Sequence, residues 1–98
     1  MMKERSERML KQITVHGRVQ GVGFRMSAKQ VADRYGITGQ VQNKADGTVE
    51  IIAQGSEEDM QKFIEEIENG PAPAADVTKT DVTDLDGPGN FQDFEVVG

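Results

Sequence analysis

The stretch Ile37-Thr38-Gly39-Gln40-Val41-Gln42-Asn43-Lys44-Ala45-Asp46-Gly47-Thr48-Val49-Glu50-Ile51-Ile52-Ala53-Gln54 decides the fold. From Ile37 to Asn43 apolar and polar residues alternate with period two, the mark of a half-buried strand. Lys44-Ala45-Asp46-Gly47 supplies the turn, and Asp-Gly is a strong hairpin signal because tight hairpin turns need residues that tolerate positive φ. Thr48 to Gln54 alternates again, with Val49, Ile51 and Ala53 on one face. The centre of the chain is therefore expected to be an antiparallel pair of strands.

Helical patterns flank this hairpin on both sides. Upstream, Phe24, Ala28, Val31 and Tyr35 recur at helical spacing, leaving Lys29, Asp33 and Arg34 toward water, and Gly36 ends the run. Downstream, Ser56 suits a helix N-cap, with Asp59 close to completing a capping box and Glu57 and Glu58 at the positive end of the helix. Met60, Phe63, Ile64 and Ile67 form its apolar stripe, and Gly70-Pro71 terminates it. Strand patterns close the chain at Lys11 to His16, with Ile13 and Val15 buried, and at Asp76 to Leu85. A turn at Asp86-Gly87-Pro88-Gly89 leads into a short last strand, Phe91 to Val97. The order βαββαβ plus a short C-terminal strand predicts an α+β, ferredoxin-like α/β sandwich, an antiparallel sheet with two helices on one face.

Composition narrows the function. Ninety-eight residues suit one domain, expected over 11–98 behind a flexible tail at 1–10. The absence of cysteine excludes a disulfide frame and a thiolate metal site or nucleophile, and a single histidine, His16, is too few for a histidine metal cluster. Glu65, Glu66 and Glu68 do not converge on one point of a helix, and Asp84 to Glu95 approaches a calcium loop but has Pro88 at a ligand position and no flanking helices. No metal site is expected. No apolar run reaches the length of a membrane span, and Met1 to Arg8 lacks the apolar core of a signal peptide, so a cytoplasmic protein without a membrane partner is expected.

Charge is unevenly placed. Residues 1–35 carry eight Lys/Arg against three Asp/Glu, a net +5, and residues 36–98 carry three against fourteen, a net −11, which together give −6. So acidic a chain is poorly suited to nucleic acid, whose backbone demands dense positive charge, whereas its basic N-terminal part tolerates a small anion. A monomer is expected, since no large apolar patch is evident.

The basic part holds Gly17-Arg18-Val19-Gln20-Gly21-Val22-Gly23-Phe24-Arg25, the link between the first strand and the first helix. Its glycines permit a sharp turn and close approach of a ligand. A loop emptying into a helix N-terminus presents unpaired N–H groups to an anion, and Arg25 adds an always-charged fork. The segment is neither a Walker A motif, lacking Gly-Lys-Ser/Thr, nor a dinucleotide fingerprint, lacking the third glycine. The residues alone leave two readings, a small-anion cradle and a tight turn. Asn43 and Asp46, taken alone, read as strand-end and turn residues.

Gly17 to Arg25, followed by Gly39-Gln40-Val41-Gln42-Asn43 and Asp46-Gly47-Thr48-Val49-Glu50, resembles the acylphosphatase family in both of its signature segments and their spacing. The resemblance extends over residues 11–98 and includes the helix ending in Asn69-Gly70-Pro71. It implies a small-molecule substrate, an acyl phosphate, hydrolysed without metal or organic cofactor to carboxylate and inorganic phosphate. It further implies that Arg25 and the amides of Gly17, Arg18, Val19, Gln20, Gly21, Val22, Gly23 and Phe24 hold the phosphoryl group, while Asn43 orients the attacking water. Two other readings stand beside it. One is a non-catalytic small-anion-binding module of the same fold. The other is an RNA-binding sandwich, which needs stacking aromatics on the central strands where Ile13, Val15, Val49 and Ile51 supply none.

Overall fold

The computed structural model describes residues 8–87 and 89–98. Most of the tail expected over 1–10, and Pro88 of the turn expected at 86–89, lie outside the described residues. The elements are β1 (Arg8–Arg18), α1 (Phe24–Tyr35), β2 (Thr38–Asn43), β3 (Val49–Ser56), α2 (Glu57–Glu68), β4 (Asp76–Asp84) and β5 (Phe94–Val96). β1 starts within the expected tail, because Ser56, Gly55 and Gln54 of β3 pair with Arg8, Met9 and Leu10.

The strands form one sheet in the order β4-β1-β3-β2-β5. Its first four strands are antiparallel neighbours, as the βαββαβ order predicted. The fifth pairs parallel to β2, through Gly39 with Phe94, Gln40 with Glu95 and Val41 with Val96, so the sheet is mixed rather than antiparallel throughout. The cause is topological. β4 takes one edge, and the chain after it crosses the end of the sheet and enters the opposite edge in the direction of β2.

Alternation along the strands divides the sheet into two faces. Ile13 and Val15 of β1, Val41 of β2, and Val49, Ile51 and Ala53 of β3 are fully buried against the helices. α1 lies over β2 and β5, while α2 lies over β3, β1 and the edge of β4. The helices contribute Phe24, Ala28, Val31 and Ala32 from α1 and Met60, Phe63 and Ile67 from α2. Phe63 meets Phe94 of β5 edge to face, with ring centroids 6.0 Å apart, a geometry that adds about 0.5–1.5 kcal/mol to the burial.

The opposite face carries Gln12, Thr14 and His16 of β1, Gln40 and Gln42 of β2, and Glu50 and Ile52 of β3. This corrects one sequence argument. Ile13, Val15, Val49 and Ile51 point to the helices, so an RNA-binding platform would have to be built from the polar set, which contains no aromatic residue. On this face His16 Nε2 lies 2.9 Å from Asp81 Oδ2, and Glu50 accepts from Gln12 and Gln42.

Tyr35, expected at the end of the α1 stripe, is only half-buried, and its hydroxyl donates to Glu66 of α2. Arg34 donates to both Glu66 oxygens, at 3.0 and 3.1 Å. The Tyr35 hydroxyl, together with the Arg34 guanidinium, holds the Glu66 carboxyl below its ordinary range. Glu66 is thus a tie between the helices, not part of a purely solvated acidic face. The core carries most of the stability. Phe63→Ala is expected to destabilise the protein by about 3–5 kcal/mol in urea unfolding, the range for truncating a fully buried aromatic residue.

Candidate active site

The two helices begin in opposite ways. Ser56 caps α2 by accepting from Asp59 N–H at 3.2 Å, and Glu57, Glu58 and Asp59 occupy the first turn. That end is satisfied both in hydrogen bonds and in charge. The N-cap of α1 is Gly23, which offers no side-chain bond, and no acidic residue stands in the first turn. Its N–H groups and the positive end of its dipole are left for something else.

The loop before α1 is shaped for the same purpose. Gly21 and Gly23 both adopt left-handed backbone conformations, with φ of 76° and 77°. A Cβ at either would meet nothing within 4 Å, so the turn itself, and not crowding, requires glycine there. Val19 is buried and anchors the loop to the core. The backbone N–H groups of Gly21 to Arg25 bond to no carbonyl among the described residues outside regular helix and strand pairing. Gly21, Gly23, Phe24 and Arg25 border a cavity of about 250 Å³.

Arg25 and Asn43 line that cavity together, beside Gly21, Gly23 and Phe24. Arg25 is half-buried in the first turn of α1, and among the described residues no carboxylate lies within ion-pair distance of it. Asn43 closes β2 opposite Val49. Counting by two from Gly39 and Val41 puts Asn43 on the helix-facing side, where its Oδ1 is buried without a hydrogen-bond partner. Such an acceptor costs about 1–3 kcal/mol until something donates to it. Thr38 Oγ1 shares this condition but sits at the other end of β2, away from the cavity. The Asn43 N–H is held at 3.2 Å by the Gly98 carbonyl.

The remaining residues of the expected cradle fall elsewhere. Gly17 and Arg18 belong to β1, where they pair with Val77 and Asp76 of β4 beyond a bulge, and neither lines the cavity. A side chain at Gly17 would collide with the Asp76 carbonyl, which explains the glycine without a ligand. Gln20 uses its side-chain amide on the β2–β3 turn, donating to the carbonyls of Lys44 at 2.9 Å and Thr48 at 2.8 Å. Val22 is half-buried against the core.

Three features escaped the sequence reading. Met26 and Val96 line the cavity, and Gln20 ties the loop to the hairpin that carries Asn43. Met26 follows Arg25 off the apolar stripe of α1, which was the available signal for it. Val96 arrives through the parallel β5 pairing, for which no local signal exists. Asp46 completes the turn by accepting from Thr48 Oγ1 at 2.6 Å and from Thr48 N–H at 3.0 Å. These bonds, the hydroxyl first, hold the Asp46 carboxyl below its ordinary range.

Gln20→Ala removes two hydrogen bonds between loop and hairpin and is expected to lower stability by about 1–3 kcal/mol. Faster amide exchange at Lys44 and Gly47, the donors of the turn itself, would locate the loss. Because the folded carboxyl of Asp46 titrates below its unfolded value, its contribution is present at neutral pH and is lost as the pH falls through that lowered value. Wild type should therefore exceed Asp46→Ala in denaturant midpoint at neutral pH, and the gap should close in strong acid.

Known proteins resemble this chain over most of its length. The acylphosphatase family model matches residues 11–96. An acylphosphatase of Lacticaseibacillus paracasei is 42% identical over 91 residues, covering 93% of this chain and 98% of the relative. One from Enterococcus faecalis is 50% identical over 70 residues, 71% of this chain and 77% of the relative. The crystal structure of acylphosphatase from Bacillus subtilis superposes with a TM-score of 0.88 at 40% identity, covering 92% of this chain and 99% of that one.

Proposed function

Because the chain belongs to the acylphosphatase family and is an acylphosphatase, a hydrolase of small acyl phosphates, we propose that Arg25 and the loop amides bind the phosphoryl group and that Asn43 orients the attacking water. Family membership favours this over the non-catalytic small-anion module that the same loop would also suit. The observation that carries the assignment is the meeting of three things in one cavity. These are the uncapped N-terminus of α1, a half-buried Arg25 with no carboxylate partner among the described residues, and the unpaired buried Oδ1 of Asn43.

The chemistry requires little more. An acyl phosphate is already activated, because a carboxylate is a good leaving group. In the proposed reaction the N–H groups before and within the first turn of α1, together with the Arg25 guanidinium, hold the phosphoryl oxygens and stabilise their charge as the bonds rearrange. A water molecule donates one hydrogen to Asn43 Oδ1 and thereby turns a lone pair toward phosphorus. Its oxygen bonds to phosphorus as the P–O bond to the acyl group breaks, and that electron pair leaves with the carboxylate. The water proton passes to an oxygen of the substrate's own phosphate, since an amide takes no proton at neutral pH. The products are a carboxylate and inorganic phosphate, and no metal or organic cofactor enters the balance.

Within this proposal the cradle is formed by the loop residues that line the cavity, Val19, Gly21, Gly23, Phe24 and Arg25, and Gly17 and Arg18 serve it by ending β1 correctly. The same reading takes the protein to be a cytoplasmic monomer without a nucleic-acid partner. The net charge of −6 and the polar, aromatic-free open face of the sheet support the last point. No described helix is long and apolar enough to cross a membrane.

The division of labour is testable with benzoyl phosphate and inorganic phosphate. Arg25→Ala should lose phosphate affinity and rate together, with kcat/KM falling on the order of 10²–10⁵-fold as for other charge clamps. Asn43→Ala should still bind inorganic phosphate as a competitive inhibitor but fail to turn over. Normal turnover by Asn43→Ala would refute the water-positioning role.

A further inference from the structure

A second cavity, of about 400 Å³, adjoins the first and shares Met26 and Val96 with it as a common wall. Its outer part is formed by Lys29 of α1 and by Asp93, Phe94 and Glu95 at the start of β5. Met26 is 55% exposed, one of only two large hydrophobic side chains so exposed among the described residues. The other, Val82, lies on β4 at the far edge of the sheet. An unbranched, exposed methionine directly after the arginine of the phosphate site, between two joined cavities, is placed to touch whatever the phosphoryl group carries.

We infer that this groove binds the acyl group of the substrate and selects acyl phosphates whose acyl part is apolar and lacks a distal negative charge. The inference rests on the phosphoryl site proposed above, because continuity with that site is what commits the groove to the acyl group. Met26 and Val96 give the acyl chain an apolar wall where it leaves the phosphoryl group. Further out, charge sets the limit. The Lys29 ammonium is already engaged, donating to the Phe94 carbonyl at 2.8 Å and to Asp33 at 3.3 Å. Asp93 and Glu95 are exposed and have no salt-bridge partner among the described residues. Glu95 pairs with Gln40 of the open face and borders the groove at the sheet edge. A carboxylate or second phosphate on the acyl group would therefore come near it and Asp93 at the rim, whereas a neutral or cationic end would meet no such repulsion.

Three substrates and two variants decide it, with kcat/KM measured at low ionic strength. Acetyl phosphate barely enters the groove, benzoyl phosphate fills it, and para-carboxybenzoyl phosphate carries an anion to its outer end. Wild type should prefer benzoyl over para-carboxybenzoyl phosphate on the order of tenfold, and Glu95→Lys should remove most of that preference. Met26→Ala should reduce the preference for benzoyl over acetyl phosphate on the order of tenfold. Equal loss on acetyl and benzoyl phosphate in Met26→Ala, or a wild type indifferent to the distal carboxylate, overturns the groove and leaves the phosphoryl site standing. Failure of wild type to hydrolyse any of the three overturns the phosphoryl site and the groove together.

Discussion

A single row of side chains across the sheet holds the site in register. Val15 of β1 pairs with Val49 of β3, and Val49 pairs with Asn43 of β2. Both valines are fully buried beneath the helices, so the row cannot slip by one residue without turning an entire apolar face to water. Just beyond Val15 the chain turns into the glycine loop, and just before Val49 it comes out of the hairpin turn. The positions of Arg25 and Asn43 are thus inherited from core packing. Gln20 supplies the only side-chain hydrogen bonds among the described residues that join the loop to the turn directly.

The contrast between the two helix N-termini shows where an acidic protein leaves room for an anion. α2 starts with a serine cap and three carboxylates, while α1 starts with a bare glycine and an arginine. Either arrangement suits a helix dipole, but the first uses the protein's own groups and the second leaves the positive end open. The long-range field of a chain with net charge −6 is screened within about 8–10 Å at ordinary salt. Under the proposed function, local donors set the affinity of the loop for a small anion, and overall charge disfavours only large polyanions.

Much of this was legible before any coordinates. Both helical stripes, the Ser56 cap and the Asp46-Gly47 hairpin are local signals, written in residues close together in the chain. The loop and Arg25 were legible for the same reason. Asn43 was half legible. Its residue type suggested a strand end, and counting by two from Gly39 and Val41 would have placed it on the buried face. The parallel pairing of β5 was not readable, because a three-residue strand has almost no periodicity and its partner lies some fifty residues earlier. The parallel edge brings Val96 to the cavity, so that part of its wall was invisible for the same cause. The part played by the Gln20 side chain was not readable either, because only the tertiary structure brings its amide to the Lys44 and Thr48 carbonyls.

The strand order has one more consequence, and it concerns how the chain reaches this state. Only β2 and β3 form a hairpin, so every other pairing joins segments far apart in the sequence: β1 to β3, β1 to β4 and β5 to β2. Loop-closure entropy must be met before those contacts give anything in return. The hairpin is the natural early structure, while β1, first in the chain and second in the sheet, is completed only when β4 arrives. Once β3 has paired with one edge of β1, the other edge stays open until β4 is in place. The threonine- and aspartate-rich β4, exposed along most of its length and unattractive as an aggregation edge, is the strand that covers it.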